Sequence, residues 1–215
     1  MTDIHAATAS SPPADIQFRD TTPFDTLEPV TVSEVSKLLS SMPAKSCQLD
    51  PIHTWLLKQF QDVFAPVITS LCNASFQSGI LPASQKRAVV LPRLKKSTLD
   101  PGSLSSYRPI SNLSFLSKLI ERVVAKRFVH HAEVNRLFPV YQSSYRRGHS
   151  TETAVLCMHN DLVHAVDEKH TAALVLLDLS AAFDTVDHPT LLAVLQRRFG
   201  VHGPALQWFT PYLSD

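Results

Sequence analysis

Six consecutive apolar residues, Ala172-Ala173-Leu174-Val175-Leu176-Leu177, run directly into an aspartate, Asp178. A strand with one wet face alternates apolar and polar residues. An unbroken run instead predicts a strand covered on both faces, as in the middle of a layered sheet. It is the longest apolar run in the chain and far too short to cross a bilayer, which takes about 20 residues. Such a strand needs covering elements, and the rest of the sequence is rich in helix signals.

Residues 1 to about 27 carry Thr, Ser, Pro and Asp with little periodicity, which predicts a disordered lead-in or linker. Thr31 and Glu34 then form a capping-box pattern ahead of Val32, Val35, Leu38 and Leu39 at helical spacing. Asp50-Pro51 reads as an N-cap with proline at the first helical position, followed by the stripe Ile52, Trp55, Leu56 and Phe60. Pro66 is expected to open a third helix that ends at Gly79. The period then changes. Lys86–Leu91 predicts a short strand stopped by Pro92, and residues 92–110 a basic, proline- and serine-rich loop carrying Arg93, Lys95, Lys96 and Arg108. From Ser114 to about His131, apolar pairs recur every four residues, with Lys118, Arg122, Lys126 and Arg127 on the polar face. Ser150 should cap a helix to about Asp167, and Asp187 and Pro189 should start another that stops at Gly200.

Charge is unevenly spread. Residues 86–150 hold thirteen basic and three acidic side chains, between two blocks in which acids outnumber bases eight to four and eight to three. The net charge of +1 hides this contrast. A basic block between acidic ones suits a polyanion-facing surface, although solvated helix faces produce the same pattern. Cys47, Cys72 and Cys157 are too scattered for a disulfide framework or a Cys-x-x-Cys knuckle. His130-His131 and His159 with His164 lack the spacing and glutamate of a zinc-protease helix. With no secretory signal at the N-terminus and no apolar span, the expectation is an intracellular protein of cytoplasm or nucleus, away from membranes.

The segment Leu177-Asp178-Leu179-Ser180-Ala181-Ala182-Phe183-Asp184 carries the most chemistry. A carboxylate at the end of a buried strand points into the crevice where open sheets place ligands, and two-metal phosphoryl transfer needs such an acid. An aspartate ending a strand as a turn residue is the plainer alternative, as helix-start acids are for Asp184 and Asp187. This segment resembles the first catalytic motif of reverse transcriptases of the non-LTR (LINE-type) retrotransposons. The resemblance implies that Asp178 is catalytic and binds metal with the Leu179 carbonyl, and that Phe183 lies under the nucleotide sugar and excludes a 2′-hydroxyl.

Two more stretches are similar to that family in the same order. Ser106-Tyr107-Arg108-Pro109-Ile110-Ser111, with Lys95-Lys96, looks like the fingers motifs that grip the triphosphate. This implies nucleotide-binding roles for Lys95, Lys96 and Arg108, against local pairing or plain solvation. Gln142-Ser143-Ser144-Tyr145-Arg146-Arg147-Gly148-His149-Ser150-Thr151 resembles the family's glutamine-to-serine-threonine motif, implying template or primer contacts by Gln142, Arg146 and Ser150. Capping alone would also explain Ser150. The resemblance runs from about Thr31 to Asp215, with two departures: Arg147 stands where proline is common, and Pro211 falls inside a helix that should continue from Pro204.

The implied fold is α+β: helices and fingers over residues 28–150, then a partial palm over 151–215 of a right-hand polymerase, cut before the palm is complete. The implied partners are an RNA template, a DNA primer and dNTP, with Mg²⁺ as cofactor. Neither the Tyr/Phe-x-Asp-Asp hairpin nor the Pro-Gln-Gly motif occurs in the chain. One carboxylate holds hydrated Mg²⁺ poorly, so the chain alone is expected to be an inactive fragment of an RNA-directed DNA polymerase. A non-catalytic nucleic-acid-binding module and a remnant of a decayed element are the alternatives.

Overall fold

The computed structural model describes residues 16–178 and 185–213. The described residues are mostly helical with one small sheet, in keeping with the expected α+β class. They fall into two compact units. One holds residues 16–135 and 188–213, the other residues 136–178 and 185–187.

The larger unit begins with helices α1 (Val32–Ser41), α2 (Thr54–Gln59), α3 (Gln61–Ser78) and the single turn α4 (Ala83–Lys86). Strands β1 (Ala88–Leu94) and β2 (Tyr107–Leu113) follow, then α5 (Phe115–Val134), α7 (His188–Phe199) and α8 (Gly203–Leu213). The smaller unit contains α6 (Thr151–Asp167).

Local signals set most helix ends. Thr31 accepts the Glu34 amide at 3.2 Å to start α1, and Ser114 accepts the Ser117 amide at 3.1 Å to start α5. Gly79 closes α3 at φ +66°, a backbone state that only glycine takes freely. Two signals misled. Pro66 does not open a helix but lies inside α3, which starts five residues earlier. Asp50 does not cap a helix at Pro51, since α2 begins at Thr54. Its two carboxylate oxygens accept the amides of Cys47 and Phe115, each at 2.6 Å, so the acid joins a turn to the start of α5 across 65 residues.

The core lies among α1, α3, α5 and α8, where Val35, Leu39, Cys72, Leu119, Val123 and Ala205 have no exposed surface. Each fully buried aliphatic side chain contributes about 1.5–3 kcal/mol. Trp208 is 1% exposed and its indole N–H donates to Ser75 Oγ at 3.0 Å. Its ring stacks on Tyr212 and meets Phe209 edge-on. Helix α8 runs through Pro211, whose carbonyl accepts Lys86 Nζ at 2.8 Å.

Residues 19–25, expected within an irregular lead-in, are irregular but pinned. The Phe24 amide donates to Gly200 O at 2.7 Å, and the amides of His202 and Ala205 donate to Phe24 O and Asp25 O. Phe24 also packs against Phe128 and the buried His131. Because the Phe199 carbonyl can only accept, the 2.8 Å contact to His131 Nε2 places a proton on that nitrogen.

The buried strand expected at 172–177 is absent. Residues 171–178 carry no strand, and Val175, Leu176 and Leu177 are 76%, 81% and 91% exposed. An apolar run becomes a central strand only when other strands take its N–H and C=O groups on both edges. The sheet formed among the described residues consists of β1 and β2 alone and does not include it.

Candidate nucleotide and nucleic-acid site

Strands β1 and β2 form an antiparallel ribbon in which Pro92 faces Pro109 and Arg93 faces Arg108. The strand therefore continues through Pro92, and residues 107–113, expected as loop and flank, are its partner. A proline has no N–H to give, so a facing proline pair fits where both backbones point their N–H positions away from each other. Side chains alternate along a strand, so Arg93 and Arg108 share a face with Leu91 and Ile110. Both arginines are exposed. Like charges directly opposite destabilise a ribbon by up to about 1 kcal/mol. Nothing in the sequence pattern announced Arg93 as the partner of Arg108; only the register does.

The two lysines differ. Lys95 Nζ donates to Ser105 O at 2.8 Å and its amide to Ser106 O at 2.9 Å, so this side chain braces the ribbon's own tip. Lys96 is exposed. The tip is further tied by Tyr107 Oη donating to Pro101 O at 3.0 Å. At the ribbon's base Cys47 Sγ donates to Asn112 O at 3.4 Å.

The polar face expected on α5 is not uniformly free. Arg127 donates from Nε to Glu28 O at 2.6 Å and from Nη2 to Pro29 O at 3.1 Å. Its two terminal nitrogens grip the Glu34 carboxylate at 3.2 and 3.1 Å, and Lys126 reaches the same acid at 3.1 Å. Burial alone would raise the Glu34 carboxyl, but the hydrogen bonds and charges of Arg127 and Lys126 outweigh it and hold the group below its ordinary value. Arg127 thus joins helices rather than facing a polyanion.

In the smaller unit, residues 136–150 fold onto themselves ahead of α6. Gln142 Nε2 donates to Ser144 O at 3.2 Å. Arg146 donates to Pro139 O and Gln142 O at 3.3 and 3.1 Å and lies 5.7 Å over the Phe138 ring. Ser150 and Thr153 form a reciprocal capping box at the start of α6. A hydrogen bond from Ser150 pulls the exposed Glu152 carboxyl below its ordinary value. The side chains assigned to template or primer by resemblance are therefore also engaged locally. Asp178 is exposed in the irregular stretch after α6; Leu179, Phe183 and Asp184 lie outside the described residues. Among the described residues no three His, Cys, Asp or Glu side chains converge; Asp178 supplies one carboxylate, fewer than a two-metal centre needs. No described helix is long and apolar enough to cross a membrane.

Residues 94–213, more than half of the chain, match the reverse transcriptase (RNA-dependent DNA polymerase) family. The chain is 32% identical over 190 residues to a probable RNA-directed DNA polymerase from transposon BS of Drosophila melanogaster, covering 88% of this chain and 21% of that protein. It is 31% identical over 166 residues to the RNA-directed DNA polymerase from mobile element jockey of Drosophila funebris, covering 77% and 18%. An uncharacterized 149 kDa protein of transposon TX1 from Xenopus laevis is 32% identical over 171 residues, covering 78% of this chain and 13% of that protein. The chain thus spans about one fifth of the length of the first two relatives. It belongs to the reverse transcriptase family, in the LINE-type form carried by non-LTR retrotransposons.

Proposed function

We propose that this chain supplies the fingers and the beginning of the palm of an RNA-directed DNA polymerase, holding the incoming dNTP against an RNA template and DNA primer. The facing pair Arg93 and Arg108, on an exposed ribbon whose second strand lies within the family match, carries the reading. Guanidinium groups suit bidentate contact with phosphate oxygens, and an anion between two like charges offsets their repulsion. Lys95 acts by bracing the ribbon tip, and Lys96 adds positive charge beside it. Asp178 is the metal-binding carboxylate of the first catalytic motif, with Leu179 and Phe183 beside it in sequence.

Strand synthesis needs carboxylates beyond Asp178, and no Tyr/Phe-x-Asp-Asp pattern occurs among the 215 residues. The chain by itself therefore binds without polymerising. Fluorescence titration with dNTP should show Arg108→Gln and Arg93→Gln each weakening binding about tenfold, the loss expected of one charge-assisted contact. Unchanged affinity in the double variant would overturn the assignment. Primer extension by the purified chain that is abolished by Asp178→Asn would overturn the inactivity.

A further inference from the structure

A cavity of ≈ 500 Å³ opens in the larger unit where α2, α3, α4 and α5 meet the turn at residues 49–52. Its volume falls in the ~300–1,000 Å³ usual for small-molecule pockets. The wall is largely apolar, with Ile52, Phe64, Val67, Leu71 and Phe115 among the lining side chains. Val67 and Leu71, one turn apart on α3, are 55% and 49% exposed. Apolar surface there faces water, and a ligand that filled the cavity would remove it from water.

Among the described residues, no Lys, Arg or His lines this cavity, and Asp50 is its single ionisable side chain. Each Asp50 oxygen accepts one backbone amide, from Cys47 and from Phe115, at 2.6 Å. A carboxylate has about four lone-pair positions, and no ion pair engages Asp50 among the described residues. The neighbouring polar groups are engaged with one another. Ser114 Oγ donates to Gln85 Oε1 at 2.8 Å and accepts the Ser117 amide at 3.1 Å, and Gln85 O accepts Ser117 Oγ at 2.7 Å. A half-buried carboxylate without a counter-charge, set in an apolar wall, favours a cation that carries an apolar body with it.

We infer that this cavity is a binding site for a small hydrophobic amine, with the ammonium on the Asp50 carboxylate and the apolar body against Phe64, Val67, Leu71 and Phe115. Asp50 repels an anionic ligand, and a neutral hydrophobe fills the space without using the charge. The site lies at the base of the ribbon, between Gln85 ahead of β1 and Ser114 behind β2. The inference goes beyond the proposed function and does not depend on it, since neither Arg93 nor Arg108 lines the cavity.

The test is a proton–nitrogen NMR titration of the full chain at pH 7 with three probes of matched shape: phenylbutylamine, phenylbutanol and phenylpentanoate. The amine should saturate with a Kd of about 1 mM, as expected of so small a ligand, and should move the amide signals of Cys47 and Phe115. The alcohol should bind about tenfold more weakly, the loss expected of one charge-assisted contact, and the carboxylate more weakly still. Asp50→Asn should bring the amine down to the affinity of the alcohol and leave the alcohol unchanged. Because Asp50 also holds two backbone amides, Val67→Trp supplies a second variant that leaves them in place. It fills the cavity from a half-exposed position and should abolish binding of amine and alcohol alike. Equal affinity for amine and alcohol would overturn the inference, as would amine binding that survives Val67→Trp. Absence of saturable amine binding up to about ten times the expected Kd would overturn it as well.

Discussion

Arg127 and Lys126 are adjacent, both basic and both reach Glu34, yet their surroundings give them different weights. The Arg127 side chain is 12% exposed and Lys126 is 69% exposed. Arg127 also satisfies the carbonyls of Glu28 and Pro29, nearly 100 residues away in sequence. Removing it leaves Glu34 with Lys126 alone and takes the donor from two carbonyls at once. Arg127→Met should lower unfolding free energy by about 2–4 kcal/mol, whereas Lys126→Gln should cost under about 0.5 kcal/mol; urea unfolding measures both. Arg127→Lys should recover little, because an ammonium cannot hold the fork. The depressed Glu34 carboxyl gives the pH dependence its sign. A carboxylate bound more tightly in its charged form when folded stabilises fully above the ordinary value of 4.5, and that contribution fades as pH falls through the folded value. Glu34→Gln should therefore flatten the acid limb of stability against pH; an unchanged limb would exclude this pair as its cause.

At the scale of elements, the junction between α7 and α8 depends on a segment that has no secondary structure of its own. Gly200 adopts φ +68°, and a Cβ placed there would lie 2.8 Å from Thr21 Cγ2 and 3.0 Å from Thr22 O. Both the backbone state and the close approach call for glycine. Gly200→Ala should lower the melting temperature and cost about 1–3 kcal/mol, by pushing residues 21–24 off the junction. A silent substitution would mean that the segment is not part of the cooperative unit. The ribbon makes a similar point about register. Pro92 reads as a strand terminator in sequence, yet it pairs with Pro109 inside the ribbon, because a two-stranded sheet leaves an outer edge on each strand where a missing N–H costs nothing.

For the whole molecule, apolar burial is unequally divided. The core cluster draws its members from residues 27–124 and 195–208, all in the larger unit. Helix α6 in the smaller unit has no buried residue, and Val155, Leu156 and Val166 on it are 51%, 67% and 63% exposed. A helix without packing draws its stability from propensity and caps alone, and at 17 residues that is marginal. Amide hydrogen exchange should therefore be fast along α6 and slowest in α3 and α5, separated by several kcal/mol of opening free energy. Equal protection in α6 and α5 would contradict the division.

The sequence alone determined features that need only a few neighbouring residues. Helix starts at Thr31, Ser114 and Ser150 and the stops at Gly79 and Gly200 were legible because caps and left-handed glycines act within one turn. The family was legible in the same way, from short ordered motifs around Arg108, Ser150 and Asp178. Tertiary structure decided what depends on distant partners. It brought Arg93 opposite Arg108, sent the Asp50 carboxylate to the Phe115 amide, and turned Arg127 from a surface cation into a clasp on Glu34. It also left Ala172–Leu177 unpaired and exposed rather than buried. An apolar run states a preference for burial, but hydrogen-bonded edges and covering faces must come from elsewhere in space, and no local pattern can promise them.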